Sequence, residues 1–454
     1  MDFSCTYTQI QPDDSLLRKG GLLLKGRTRN SRQPVHLTVL VDTSGSMEME
    51  DKLESVKRSL QLMLELLSPE DRLSLVTFAD DSKTFLTRAT PTPDERSAIL
   101  YRIQKLVPEG STNMSAGLLE ARALVEPASS GRKQGLILLT DGHANIGVHT
   151  ESGLLDILKR IQTDSPGLSL TTVAYGVDHN AEMLTNLAKV GGGAYNVVKN
   201  LEDVATVFGD ILGGLVSVSA QKVEVQLPPG AEAITSFRTE TDAAGMTTVY
   251  VGDLYADAES TILFKSSVLQ GPLRIKGTDM TTLDVIDTLC TPTLLTNLED
   301  IPVTFIVAEY KQQVVALLQR LRTSQTSLKA EVEALVQTLE EDDRIRDHPL
   351  RPILLEDLQQ ALRMSQRGYQ MSQNETVEMA QHSAYLGMAR GLRTQTSQVP
   401  HAPRRGRRHS EEEEAAPIPP APMMSPFSNR IQAQMVSVMR TMSTQEPEED
   451  SQGW

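Results

Sequence analysis

"VHLTVLVDTSGSM", residues 35–47, is the stretch on which the reading of this chain turns. Its first half places Leu37, Val39 and Val41 at alternate positions, the pattern of a buried strand. The strand then runs straight into Asp42, Thr43, Ser44, Gly45 and Ser46, a carboxylate, three hydroxyls and a glycine. Such a cluster at a strand end serves a phosphate-handling turn, a hydrolytic nucleophile or one part of a metal site. The choice among them rests on residues elsewhere in the chain.

Around this stretch, residues 33–216 alternate short apolar runs with amphipathic segments, as a parallel sheet covered by helices does. Strands are predicted over 35–41, 72–78, 83–89, 135–140, 169–177 and 194–198. Helices are predicted over 51–67, 94–106, 114–126, 151–163, 181–190 and 201–215. In the first helix Leu53, Val56, Leu60, Met63, Leu64 and Leu67 recur at helical spacing. The fold class is therefore α/β, a doubly wound, mostly parallel sheet with helices on both faces, plus a β-sandwich and a C-terminal helical region. Residues 217–308 alternate as antiparallel strands with one wet face do. The strand-like segments within 1–32 are expected to pair with them, so that the α/β unit, 33–216, is an insertion in the sandwich. Residues 309–394 return to helical spacing, with Val315, Leu318 and Leu321 as packing positions. From 395 to 454 Pro, Arg, Ser and Glu dominate, and that tail is expected to be largely disordered, "NRIQAQMVSVMRTM" being the exception.

Composition narrows the function. A chain of 454 residues holds roughly two to four domains. A formal charge of −15 opposes non-specific binding to nucleic acid or anionic membrane. Two cysteines, Cys5 and Cys290, supply neither a disulfide framework nor a multi-cysteine zinc module. The N-terminus has no leader pattern, and no apolar run approaches the ~18 residues that span a bilayer. The expected location is cytoplasmic, with a nuclear alternative.

In an open α/β sheet, ligands sit beyond the carboxyl ends of the strands, where neighbouring connections diverge. The loops there supply Asp42, Ser44 and Ser46, then Thr112 in "GSTNM", then Asp141 in "TDG". Two carboxylates and three hydroxyls, with no thiolate, suit a hard cation such as Mg²⁺ or Mn²⁺. With so few charged ligands the cation stays electrophilic and can take an external carboxylate.

This constellation resembles the von Willebrand factor type A (VWA) domain with its metal-ion-dependent adhesion site, D-x-S-x-S, a separate threonine and a T-D-G aspartate. The resemblance covers 33–216. It implies that Ser44, Ser46 and Thr112 touch the metal, that Asp42 and Asp141 act mostly through water, and that ligand binding is coupled to the last helix of the domain. The flanking regions look similar to intracellular bacterial and plant proteins that embed such a domain. Some plant relatives add the RING zinc module of ubiquitin ligases, for which this chain lacks the cysteines.

Enzymatic readings fare worse on the same residues. A phosphatase of the haloacid dehalogenase class needs a second acid where Ser44 stands, and a serine hydrolase elbow needs G-x-S-x-G, which neither Ser44 nor Ser46 has. His143, beside Asp141, reads as a surface-loop histidine. In the tail, "RRGRRHSEEEE" makes Arg404, Arg405, Arg407 and Arg408 a candidate import patch and Ser410 a candidate phosphorylation site. The function expected is a metal-dependent interaction module that captures an Asp or Glu carboxylate of a protein partner. The alternative is an assembly scaffold that self-associates through its helical region.

Overall fold

The computed structural model describes residues 2–10, 17–28, 32–126, 131–176, 178–266, 271–295, 297–323, 329–366 and 430–444. Strands β1 (Asp2–Ile10) and β2 (Leu17–Lys25) come first. There follow β3 (Val35–Asp42), β4 (Arg72–Phe78), β5 (Ser82–Ala89), β6 (Lys133–Thr140), β7 (Ser169–Tyr175) and β8 (Gly192–Val198). These last six form one sheet in the order β5-β4-β3-β6-β7-β8. Every residue of β3, β6 and β7 is buried, because helices cover both faces of a parallel sheet and leave its central strands no wet side. Only β5 runs antiparallel, to β4. Residues 79–81 connect the two, and so short a link can close a hairpin but cannot make a crossover.

The covering helices are α1 (Lys52–Leu66), α2 (Pro93–Gln104), α3 (Met114–Leu124), α4 (Glu151–Asp164), α5 (Ala181–Gly191) and α6 (Leu201–Val216). Their starts are written locally. Asn113 accepts from the Ala116 N–H, Asn180 from the Met183 N–H, and Asn200 forms a reciprocal box with Asp203. Gly192, at φ +70°, closes α5 in the left-handed conformation that glycine adopts without strain. On one face Leu53, Val56, Leu60, Ile103, Phe208 and Leu212 from α1, α2 and α6 pack on Val35, Leu37, Val39 and Val41. On the other, Met114, Leu118, Leu154, Leu158 and Leu187 from α3, α4 and α5 pack on Leu40, Leu136 and Leu138.

The chain enters and leaves this α/β unit at neighbouring points, where the Gln33 N–H donates to the Val216 carbonyl at 3.1 Å. Beyond α6 come β9 (Val218–Leu227), β10 (Ala231–Ile234), β11 (Arg238–Thr241), β12 (Thr247–Tyr255), β13 (Glu259–Ser266), β14 (Leu273–Asp279), β15 (Val285–Cys290) and β16 (Thr293–Leu295). They build two five-stranded sheets, β10-β13-β2-β1-β16 and β11-β12-β9-β14-β15. Leu22, Leu24, Ile262 and Phe264 of the first sheet meet Val223, Val225, Val249, Leu273 and Ile275 of the second in one core. A buried ion pair joins the sandwich to the α/β unit: Lys133 Nζ of β6 lies 2.8 Å from Asp253 Oδ2 of β12. The cysteine Cys290 is buried.

Three helices, α7 (Val303–Thr323), α8 (Lys329–Glu341) and α9 (Leu350–Gln366), share a core that includes Val314, Leu318, Leu339, Leu354 and Leu358. Val315 is also buried, whereas the side chain of Leu321 and the helical segment expected at 375–392 lie outside the described residues. Helix α7 covers the outer face of the first sandwich sheet. A Cβ on Gly21 would come within 2.8 Å of the Phe305 ring, so the sheet backbone is pressed against the helix. Among the described residues no helix is long and apolar enough to cross a membrane.

Within the tail expected to be largely disordered, Arg430–Thr444 forms a helix, α10, that packs along α6. Its Val436 and Met439 are fully buried, and Gln432 Nε2 donates to Asp210 Oδ1 at 2.8 Å. The close approach requires glycine on α6, since a Cβ on Gly209 would lie 2.7 Å from Val436 Cα and one on Gly213 2.5 Å from Gln432 Cα. The surface on which α10 packs comes from a helix far earlier in the chain. Arg404, Arg405, Arg407, Arg408 and Ser410 lie outside the described residues. Replacing Gly213 by Leu is expected to unseat α10 at a cost of about 1–3 kcal/mol. Hydrogen exchange would show fast exchange across 431–442 and unchanged protection in β3 and β6.

Candidate functional site

From the centre of the sheet, β3 connects outward to β4 on one side, and β6 connects outward to β7 on the other. The carboxyl ends of β3 and β6 therefore flank the switch point of the topology, where chain connections diverge and leave a crevice. Asp42 is the last residue of β3 and Asp141 follows the last residue of β6. Thr112 stands just before α3, whose cap Asn113 ties the turn to the helix.

Hydrogen bonds hold these loops together. The Gly45 N–H donates to the Gly110 carbonyl at 3.0 Å, and the Glu109 N–H to the Thr43 carbonyl at 2.6 Å. The Asn145 N–H donates to the Thr112 carbonyl at 3.0 Å, and Asn145 Oδ1 accepts from the Thr112 N–H at 2.8 Å. The loops after β3, before α3 and after β6 are thus one connected surface. Asp42, Ser44, Thr112 and Asp141 are all buried, and Ser46 is half-buried with its Oγ 3.1 Å from Ser44 Oγ.

The two acids differ in their support. Asp42 Oδ1 accepts from the Ser44 N–H at 2.9 Å and its Oδ2 from the Thr140 hydroxyl at 2.6 Å. Burial pushes the Asp42 carboxyl up to about 6; the bonds from Ser44 and Thr140 pull it back, and the neighbouring charge of Asp141 adds to the rise. Asp141 Oδ2 accepts from Lys52 Nζ at 3.3 Å, while its Oδ1 is buried with no hydrogen-bond partner among the described residues. An orphaned carboxylate oxygen of this kind is costly unless something satisfies it.

A hard divalent cation fits this set. Its ligands would be oxygens, it would satisfy Asp141 Oδ1, and it would offset two buried negative charges that face one ammonium. Among the described residues no three His, Cys, Asp or Glu side chains cluster to hold a metal. A cation here would depend on the hydroxyls of Ser44, Ser46 and Thr112. His143 stands apart, half exposed, with its Nε2 3.5 Å from Asp178.

Three participants escaped the sequence reading. Thr140 was visible as the first letter of "TDG" but as a strand residue, Lys52 as the start of an amphipathic helix, and Asn145 as a plain loop residue. Their roles depend on which neighbours the fold brings within 3.5 Å, which spacing along the chain does not record.

Residues 36–210 match the family profile described as the von Willebrand factor type A domain, and this part of the chain is a VWA domain. The chain is 28% identical over 259 residues to YfbK of Escherichia coli, covering 55% of this chain and 44% of that protein. It is 26% identical over 275 residues to the E3 ubiquitin-protein ligase WAV3 of Arabidopsis thaliana, covering 57% and 34%. It is 26% identical over 242 residues to the inter-alpha-trypsin inhibitor heavy chain H4 of Bos taurus, covering 51% and 26%. The matches thus span from about a quarter to under half of these relatives' length. Among solved structures, a von Willebrand factor type A protein from Catenulispora acidiphila superposes with a TM-score of 0.59 at 13% identity, over 85% of this chain and 96% of that one. The ArnB paralog VWA2 from Sulfolobus acidocaldarius gives 0.55 at 16%, over 84% and 96%. These two share the fold.

The raised Asp42 carboxyl sets a pH dependence. Its folded value of about 6 exceeds the ordinary 3.8, so the metal-free protein gains stability from protonated Asp42 below pH ~4 and loses it as pH rises through ~6, by on the order of 3 kcal/mol. Asp42→Asn should remove this decline, as chemical denaturation in chelator at pH 4.5 and 7.5 would show.

Proposed function

We propose that this protein is a protein–protein interaction module whose VWA domain holds Mg²⁺ or Mn²⁺ on Ser44, Ser46, Thr112, Asp42 and Asp141, and captures an Asp or Glu carboxylate of a protein partner. The observation that carries the reading is the buried, unpartnered Asp141 Oδ1 at the same sheet edge as buried Asp42 and three hydroxyls. Two carboxylates cancel the charge of a divalent cation, and the Lys52 ammonium beside Asp141 leaves the loaded edge with an excess positive charge, which favours an external anionic ligand. The matched stretch makes up 26% of the inter-alpha-trypsin inhibitor heavy chain and 34% of the plant ubiquitin ligase, as a module within a longer chain would.

The scaffold alternative uses α7, α8 and α9. Among the described residues most of their apolar side chains pack in their own core or on the sandwich, Phe305 and Ala308 packing with Leu263, which favours a packing role over self-association.

Calorimetric titration of the full chain with Mg²⁺ and Mn²⁺ tests the metal directly. Wild type should bind one cation, and Asp141→Ala should weaken binding by at least roughly a hundredfold, the loss of a charged ligand being worth several kcal/mol. Heat-free titration of the wild type, with no rise in melting temperature on adding either metal, would defeat the proposal. Partner capture should in turn vanish with chelator and with Asp42→Ala.

A further inference from the structure

The sheet edge carries a cation of its own. Lys52, the first residue of α1, is buried, and its Nζ lies 3.3 Å from Asp141 Oδ2. A lysine leading a helix ordinarily points to solvent. Here two consecutive non-glycine residues in the left-handed region, Glu50 at φ 54° and Asp51 at φ 53°, turn the chain just before it. Strained residues of this kind persist where the surrounding structure holds them, and they gather at functional sites. The lysine stem is closely packed, since a Cβ on Gly176 would lie 3.0 Å from Lys52 Cε, and only a glycine there leaves it room.

We infer that Lys52 is the resident counter-cation of the adhesion site: it pairs with Asp141 when no metal is bound, and stays beside the loaded site as a second positive charge. This rests on the metal-binding reading above and adds a charge logic to it. Without metal, two buried carboxylates and one ammonium leave a single negative charge. With a divalent cation the same groups leave a single positive charge, which one external carboxylate neutralises. Lys52 therefore weakens metal binding and strengthens anion binding, so that the loaded site holds a carboxylate in preference to a neutral amide.

The test uses the full chain, Mn²⁺ as the metal and acetate as the anion. Calorimetry reads Mn²⁺ affinity, and water-proton relaxation by bound Mn²⁺ reads displacement of its water by acetate. Lys52→Gln should bind Mn²⁺ at least roughly tenfold more tightly and, once loaded, bind acetate at least roughly tenfold more weakly, the scale of a unit charge a few ångströms away even under water-like screening. Lys52→Arg, which keeps the charge, should stay close to wild type on both. A purely structural Lys52 would lower the melting temperature of Lys52→Gln while leaving Mn²⁺ affinity equal or weaker and acetate binding unchanged; that result overturns the inference. If wild type binds no Mn²⁺, the metal reading falls and this inference with it, whereas wild-type binding with no response to Lys52→Gln overturns this inference alone.

Discussion

The hydrogen bond from the Thr140 hydroxyl to Asp42 Oδ2, 2.6 Å long and fully buried, is the contact around which the functional edge is arranged. It joins the ends of the two central strands where their onward connections part in opposite directions. Without it, the Asp42 carboxylate would face the cost of burial with Ser44 alone, through its N–H and hydroxyl, to support it. The same hydroxyl accepts from the Gly142 N–H at 2.9 Å, so the turn that carries Asp141 is set by the group that orients Asp42. One small side chain thereby fixes both acids.

From this point the architecture can be followed outward. Apolar strands buried on both faces require helices on both faces, and α1 and α6 supply one of those layers. Helix α1 begins at the site with Lys52, and α6 leads through Ser217 into β9 of the sandwich. On α6 the two glycines that seat α10 remove the side chains that would keep the helices apart. Helix α10 also packs Met439 into the core shared by α1 and α6. The contacts of a remote segment thus reach the helix that starts at the candidate metal site. The buried Lys133–Asp253 pair ties the opposite end of β6 to the sandwich, and a pair so deeply buried serves orientation more than stability.

Electrostatically the edge is balanced without being neutral. Asp42 is a carboxylate made reluctant to ionise by burial, and Asp141 is a carboxylate with one oxygen matched by an ammonium and one unmatched. The hydroxyls of Ser44, Ser46 and Thr112 stand at the same edge and add no charge.

The fold class was legible in the sequence because its cause is local and repetitive. Runs such as "VHLTVLV" and "GLILLT" are apolar throughout, amphipathic helices lie between them, and Thr, Asn and Pro mark the helix starts. Asp42, Ser44, Ser46, Thr112 and Asp141 could be picked out as candidates because strand ends in such a sheet are where ligands bind, and these residues fall there. The antiparallel direction of β5 was legible only in the brevity of the link at 79–81. What tertiary structure alone decided is everything that depends on distance across the chain. Thr140 finding Asp42, Lys52 turning back onto Asp141, and residues 430–444 finding a seat on Gly209 and Gly213 are contacts between segments tens to hundreds of positions apart. Periodicity and capping report a residue's neighbours along the chain, whereas the cost of burying a charge or ordering a helix is settled by neighbours that only folding brings near.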